Sequence, residues 1–201
     1  MLHTDARFHS AVEDAVGRLE ALTDAEIIVV AAPRSGSYRD VSLIAATLVT
    51  FAMLLVLLLV PFAVHPWMLP IELGVTFAAA AWVASGTWFL RWLVPASRRA
   101  DQVTEAAHAE FHREQVHATP HRTGVLVYVS ALEGKVVVMP DLGIEGRVPA
   151  VPWEQACAAF SHQDLDHFLG ALDGLGALLA EHVPPLHTDL VDLPNAPRVR
   201  S

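Results

Sequence analysis

Val41 to Val64 reads VSLIAATLVTFAMLLVLLLVPFAV, and Leu73 to Leu90 reads LGVTFAAAAWVASGTWFL; neither run carries a charge. A helix rising about 1.5 Å per residue needs roughly 20 such residues to cross a hydrocarbon core of about 30 Å. The first run is long enough for a span, and the second becomes so when it is extended through Trp88 and Trp92. The two runs predict a transmembrane helical hairpin over 41–93, with helices over about 41–64 and 70–92. The turn between them, HPWMLPIE, has no Lys or Arg, whereas Arg34 and Arg39 precede the pair and Arg91, Arg98 and Arg99 follow it. The bias of basic residues toward the cytoplasmic side places both termini in the cytoplasm and the turn outside, in the inner (cell) membrane. The first 26 residues are charged and amphipathic with no apolar core before Ile27, so insertion is expected to be directed by the first run rather than by a cleaved leader.

Working outward, the chain has 201 residues, 53% of them hydrophobic, and the two runs account for the excess over an ordinary soluble domain. Setting them aside leaves about 150 residues, enough for one compact domain. The net charge of −9 argues against a nucleic-acid surface. Cys157 stands alone, so no intrachain disulfide can form.

Phe8, Val12, Val16 and Leu19 fall on one face of a helix over about Asp5–Leu22, with Thr4 as its N-cap. AEIIVVAA, 25–32, is a β-rich apolar run and reads as a strand covered on both faces. After the hairpin, Pro95 to about Val116 reads as a polar helix whose apolar stripe is only partial, because Glu110 and Glu114 lie beside Val103, Ala107 and Phe111. Strands are expected at 125–130 and 135–139 around a turn at Glu133-Gly134, then a loop over 141–149, then helices at 153–160 and 165–181, the last capped by Asp164. The proline-rich tail, 184–201, reads as extended or disordered. A strand, a crossover helix and a second strand make a parallel pair. Residues 1–34 and 95–183 are therefore expected to fold together as one α/β domain, interrupted by the hairpin.

The stretches APRSGSYRD (32–40), HRTGVLVYVSALEGKVVVMPDLGI (121–144) and LLAEHVPP (178–185) resemble the TPM domain family, named for thylakoid-lumen, photosystem-repair and acetylcholine-receptor-modulator members. The likeness is greatest to the bacterial members with a membrane hairpin after the first strand. It implies a mixed four-element sheet between helices. It also implies roles in assembly, repair or modulation of membrane complexes, or an acid phosphatase activity, and in some members a divalent cation held by acidic residues ahead of the GVL strand. Here Arg122 and Thr123 stand ahead of Gly124, and a guanidinium opposes a cation that seeks anionic oxygens. Asp141 is the acidic residue that does match.

Three chemical readings follow. Arg122, Thr123 and Gly124 before one strand, with Asp141 and Gly143 after its neighbour, make a rim at one end of the sheet where a phosphate or other acidic ligand could bind. His108 and His112, spaced i, i+4, present two rings on one helix face, a geometry zinc accepts and one that would also titrate near neutrality. Neither set is complete, so no cofactor is expected, with zinc at the histidines or calcium at the rim as the alternatives. Cys157 sits among alanines and reads as a core residue. No Walker, Rossmann or serine-hydrolase pattern is present. The chain therefore reads as a non-enzymatic accessory, assembly or maintenance factor for membrane proteins, with a phosphatase-like hydrolase and a metal- or pH-responsive module as alternatives. Its expected partners are the bilayer and other membrane or membrane-proximal proteins. Gly74, Ala78, Ala81 and Ser85 form a small-residue stripe for packing within the hairpin or for a homo-oligomer.

Overall fold

The structure is a computed structural model and describes residues 6–59, 65, 67–162, 164–185 and 197–200. It divides into two units, one formed by the chain up to Ser35 and from Ala100 onward, the other by Gly36–Arg99. The expected Thr4 cap and the last residues of the first apolar run lie outside the described residues.

The first unit is a mixed α/β layer structure. Strands β1 (Glu26–Ala32) and β2 (Gly124–Ser130) pair in parallel from Glu26↔Gly124 to Ala32↔Ser130. Strand β3 (Lys135–Pro140) returns antiparallel to β2, from Ser130↔Lys135 to Val125↔Pro140. The connection between them runs from Ala131 to Gly134, and Gly134 takes φ +67, where a side chain is disfavoured. A fourth strand comes from the tail: β4 (Arg198–Val199) lies parallel to β1, giving the order β3-β2-β1-β4. Within 184–201, expected to be extended or disordered, Arg198–Val199 is an extended strand. Two alternating arginines place these residues in the sheet, for reasons given below.

Both faces of the sheet are covered, as continuous apolar strands require. On one face, Ile27, Val29, Val125 and Val127 pack under helix α1 (Ala6–Glu20), through Phe8, Val12, Val16 and Leu19. Helix α8 (Leu165–His182) shares that face through Phe168, Leu172, Leu175 and Leu179. Gly176 lets α1 and α8 approach closely, since a Cβ there would lie 2.2 Å from Leu19 Cδ2. On the other face, Ile28, Val30, Leu126 and Tyr128 meet Val103, Ala107 and Phe111 of helix α5 (Ala96–Arg113). Asp164 caps α8 by accepting from the His167 N–H. The loop expected over 141–149 contains a helical turn, α6 (Leu142–Glu145), because Asp141 caps it. Helix α7 runs Ala150–Ala158, starting directly after Pro149.

In the second unit, helix α2 (Arg39–Leu59) is long and apolar enough to span a membrane. The second run is not one helix. It breaks at Ser85-Gly86 into α3 (Leu69–Ala84) and α4 (Thr87–Leu93), whose axes meet at 83°. The physical reason is local: the Ser85 hydroxyl donates to Trp82 O at 2.6 Å, and Gly86 leaves the helical region at φ −65, ψ 141. The small-residue stripe does not pack α2 against α3. Gly74, Ala78 and Ser85 are exposed, and a Cβ at Gly74 would meet nothing within 4 Å. Instead Ser42 and Ala46 of α2 and Ala84 of α3 are buried, with the Ser42 hydroxyl 3.3 Å from Ala84 O. Arg98 closes the unit by an ion pair to Asp40 at 2.8 Å and lies over the Tyr38 ring.

Candidate functional site

The antiparallel return of β3 brings the start of β2 and the end of β3 to the same edge, so the rim residues do come together. Arg122 adopts φ +57 and grips Asp141 with both arms of its fork, Nε to Oδ2 at 2.7 Å and Nη2 to Oδ1 at 2.9 Å. Asp141 Oδ1 also accepts from the Leu142 N–H at 2.8 Å. The Thr123 hydroxyl donates to Asp24 O, and its N–H donates to Thr119 Oγ1. Gly124 and Gly143 answer close backbone approaches: a Cβ on Gly124 would lie 2.2 Å from Val116 O, and one on Gly143 would lie 2.5 Å from both Arg122 O and His121 O. Asp141 is 3% exposed, with its two oxygens engaged by three donors. A divalent cation there would face a guanidinium at hydrogen-bond distance, so the donor set suits neither calcium nor magnesium. The same closure buries the Asp141 carboxylate and holds both of its oxygens in hydrogen bonds. As a geometry, the rim is a knot joining β2, β3 and α6.

His108 and His112 are both exposed on α5; the His112 ring meets the edge of His117, centroids 5.3 Å apart, and His117 stacks on Phe111. His121 pairs with Asp24 at 3.2 Å. Among the described residues, no group of three or more His, Cys, Asp or Glu is placed to hold a metal ion. Burial pushes the Cys157 thiol up to about 11, which keeps it protonated and unreactive at neutral pH.

The polar residues that the structure does assemble lie on the α5 side of the sheet, and sequence reasoning passed over most of them. Just after β1, the Ser35 hydroxyl donates to Ser130 Oγ at 2.7 Å and lies 3.1 Å from the Tyr128 hydroxyl. Ser130 Oγ donates in turn to Glu133, whose carboxylate also accepts from the Ser35 N–H at 3.1 Å. Burial raises the Tyr128 phenol above its ordinary range. Beside this network is a groove of about 670 Å³, lined by Arg34, Ser35, Gln102, Glu105, Arg113 and Tyr128 among others. It lies at the carboxyl ends of β1 and β2, where α/β sheets commonly open to ligands. Its wall continues into a second cluster: Glu110 of α5 and Glu114 just past its end, both buried, hold Arg198 and Arg200 of the tail. Two acids, one on the apolar stripe of α5 and one just past its end, and two alternating arginines in the tail were the available signal.

No protein-family model and no curated protein matches the chain. Among solved structures, the NMR structure of the BA42 protein from the psychrophilic bacteria Bizionia argentinensis is similar in fold. It has a TM-score of 0.58 at 17% identity, covering 98% of this chain and 94% of that one. At that identity the likeness speaks for the fold.

Proposed function

We propose that the chain is an inner-membrane protein of two helical passes. In this reading its α/β unit, of TPM type, is cytoplasmic and serves as a non-enzymatic accessory, assembly or maintenance factor for other membrane proteins. The observation that carries the membrane part is the surface of α2. Leu43, Ile44, Leu48, Phe51, Leu58 and Leu59 are all exposed, and only Ser42 and Ala46 of the helix are buried. A helix that is apolar all round and unburied by protein calls for lipid. The two-helix hairpin is the finer part of the reading. At about 1.5 Å per residue α3 reaches only about 24 Å. In this reading α4 turns into the membrane–water interface with Trp88 and Trp92, where amphipathic rings are favoured.

The accessory role is supported by how the α/β unit spends its ionisable groups. Arg122 with Asp141, and Glu110 and Glu114 with Arg198 and Arg200, are closed on one another. A phosphatase-like hydrolase at the rim would need Asp141 released from Arg122.

Three experiments test the reading. Alkaline carbonate should leave the full chain in the pellet with the membranes, and its release to the supernatant would refute the integral placement. Crosslinking in native membranes followed by mass spectrometry should join the α/β unit reproducibly to other membrane proteins. Crosslinks no richer than those of an unrelated two-helix protein would overturn the accessory role. A reporter fused after Ser201 should be active only in a cytoplasmic format.

A further inference from the structure

Glu110 lies on the stripe of α5 that carries Val103, Ala107 and Phe111, Glu114 follows just past the helix end with its N–H donating to Glu110 O, and both are 7% exposed. A carboxylate so placed needs a cation. The cations arrive from the far end of the chain. Arg198 donates to Glu114, and Arg200 donates to both Glu114 and Glu110, the latter from Nε at 3.2 Å and Nη2 at 2.8 Å.

The spacing explains the fit. Residues four apart on a helix are separated by about 6 Å of rise, and residues two apart on a strand by about 6.6 Å. Glu110 and Glu114 are therefore commensurate with Arg198 and Arg200, and β4 is docked on β1 so that both guanidiniums reach the two carboxylates. The backbone part of the docking is brief. Among the described residues β4 joins β1 at Val30↔Arg198 and Ala31↔Val199, with the Arg200 N–H donating to Ala31 O at 2.9 Å. Backbone pairing of this kind accepts any sequence; the two acids are what select. Arginine suits them better than lysine, because its fork can bridge two carboxylates. Because β4 is parallel to β1, a strand continuing past the Arg200 position heads toward the carboxyl end of β1, where Arg34, Ser35 and Tyr128 line the groove of about 670 Å³.

The geometry points to a recognition site for an extended basic segment of a partner protein. The segment carries Arg-x-Arg, is added as a strand beside β1, and is read by Glu110 and Glu114; residues 198–200 are its occupant in cis. This rests on the accessory-protein reading in that the occupant in trans is another protein. The chain's own tail is tethered, and a short tether presents it at an effective concentration on the order of millimolar, so it masks the site until displaced.

The test uses the full chain in detergent micelles and a fluorescent peptide, NAPRVRS, copying residues 195–201. In a chain carrying Arg198→Ala and Arg200→Ala the peptide should bind at least about tenfold more tightly than to the unaltered chain, because its competitor is gone. Binding should vanish when Glu110→Gln and Glu114→Gln are added, and with a peptide holding Ala at both Arg positions. A second readout guards against a misfolded variant: peptide addition should slow hydrogen exchange of the β1 amides in the Arg198→Ala, Arg200→Ala chain. No binding to that chain while its circular dichroism is native would overturn the site. So would equal binding of the Ala peptide. A species of twice the mass that forms by exchange of tails would assign the site to a second copy instead. Carbonate release with peptide binding intact would count against the membrane reading alone, and retention without peptide binding against this site alone.

Discussion

Asp141 concentrates three jobs in one carboxylate. It holds Arg122 by two hydrogen bonds, caps α6, and ties the start of β2 to the end of β3. Asp141→Ala removes the cap and leaves a guanidinium that is 47% exposed and can recover water, so the loss is smaller than for a fully buried pair. We expect about 2–3 kcal/mol, read from urea denaturation of the detergent-solubilised chain. A loss below about 0.5 kcal/mol would show that the knot is ornamental. Cys157 makes a second residue-scale prediction. With its thiol at about 11 rather than the ordinary 9.0, the thiolate fraction at pH 8 is lower by about a hundredfold. Alkylation by iodoacetamide followed by mass spectrometry should be slower by a comparable factor than for a cysteine in an unstructured peptide. The linked stability is fully present below pH 9 and is lost as pH rises from there through about 11, because the folded protein holds that proton more tightly than the unfolded chain.

At the scale of elements, the informative departure is the break between α3 and α4. The sequence is uncharged from Leu73 to Leu90 and reads as continuous because hydropathy is blind to direction. Ser85 and Gly86 supply the turn, one by bonding back to Trp82 O and the other by leaving the helical region at little cost. Trp88 and Trp92 are then 74% and 80% exposed on one side of α4, while Leu90 is buried. Placement of α4 at the interface predicts that these two tryptophans sit at headgroup depth and Trp82 deeper. In single-tryptophan variants reconstituted into brominated lipids, bromine near the headgroups should quench Trp88 and Trp92 more than bromine near the chain ends, with the order reversed for Trp82. The same order for all three would mean that α3 and α4 cross as one span. The parallel pairing of β1 with β2 was legible in advance, because two apolar β-rich runs joined through a helix leave a single favoured topology.

For the molecule as a whole, the tail is the piece that changes the account. Arg198→Ala with Arg200→Ala leaves two buried carboxylates without their cations. Breaking a buried pair costs about 3–5 kcal/mol, but these arginines are about a third exposed and water can enter in their place, so we expect about 1–3 kcal/mol. Adding Glu110→Gln and Glu114→Gln should return part of that loss in the same denaturation series, because a neutral amide needs no counter-charge. Strict additivity of the two pairs of substitutions would deny the coupling. By itself, the sequence determined the apolar runs, the strands of the sheet core, the helix that crosses between them and the cap at Asp164. These are periodic or local features, set by neighbours within a few positions. Only the tertiary structure decided that Arg122 is bound to Asp141, that the second run bends, and that Arg198 and Arg200 answer Glu110 and Glu114. The ion pairs turn on which distant groups meet once water is excluded, and the bend on a local hydroxyl that hydropathy does not register. Such pairings between residues up to 90 positions apart have no period to read.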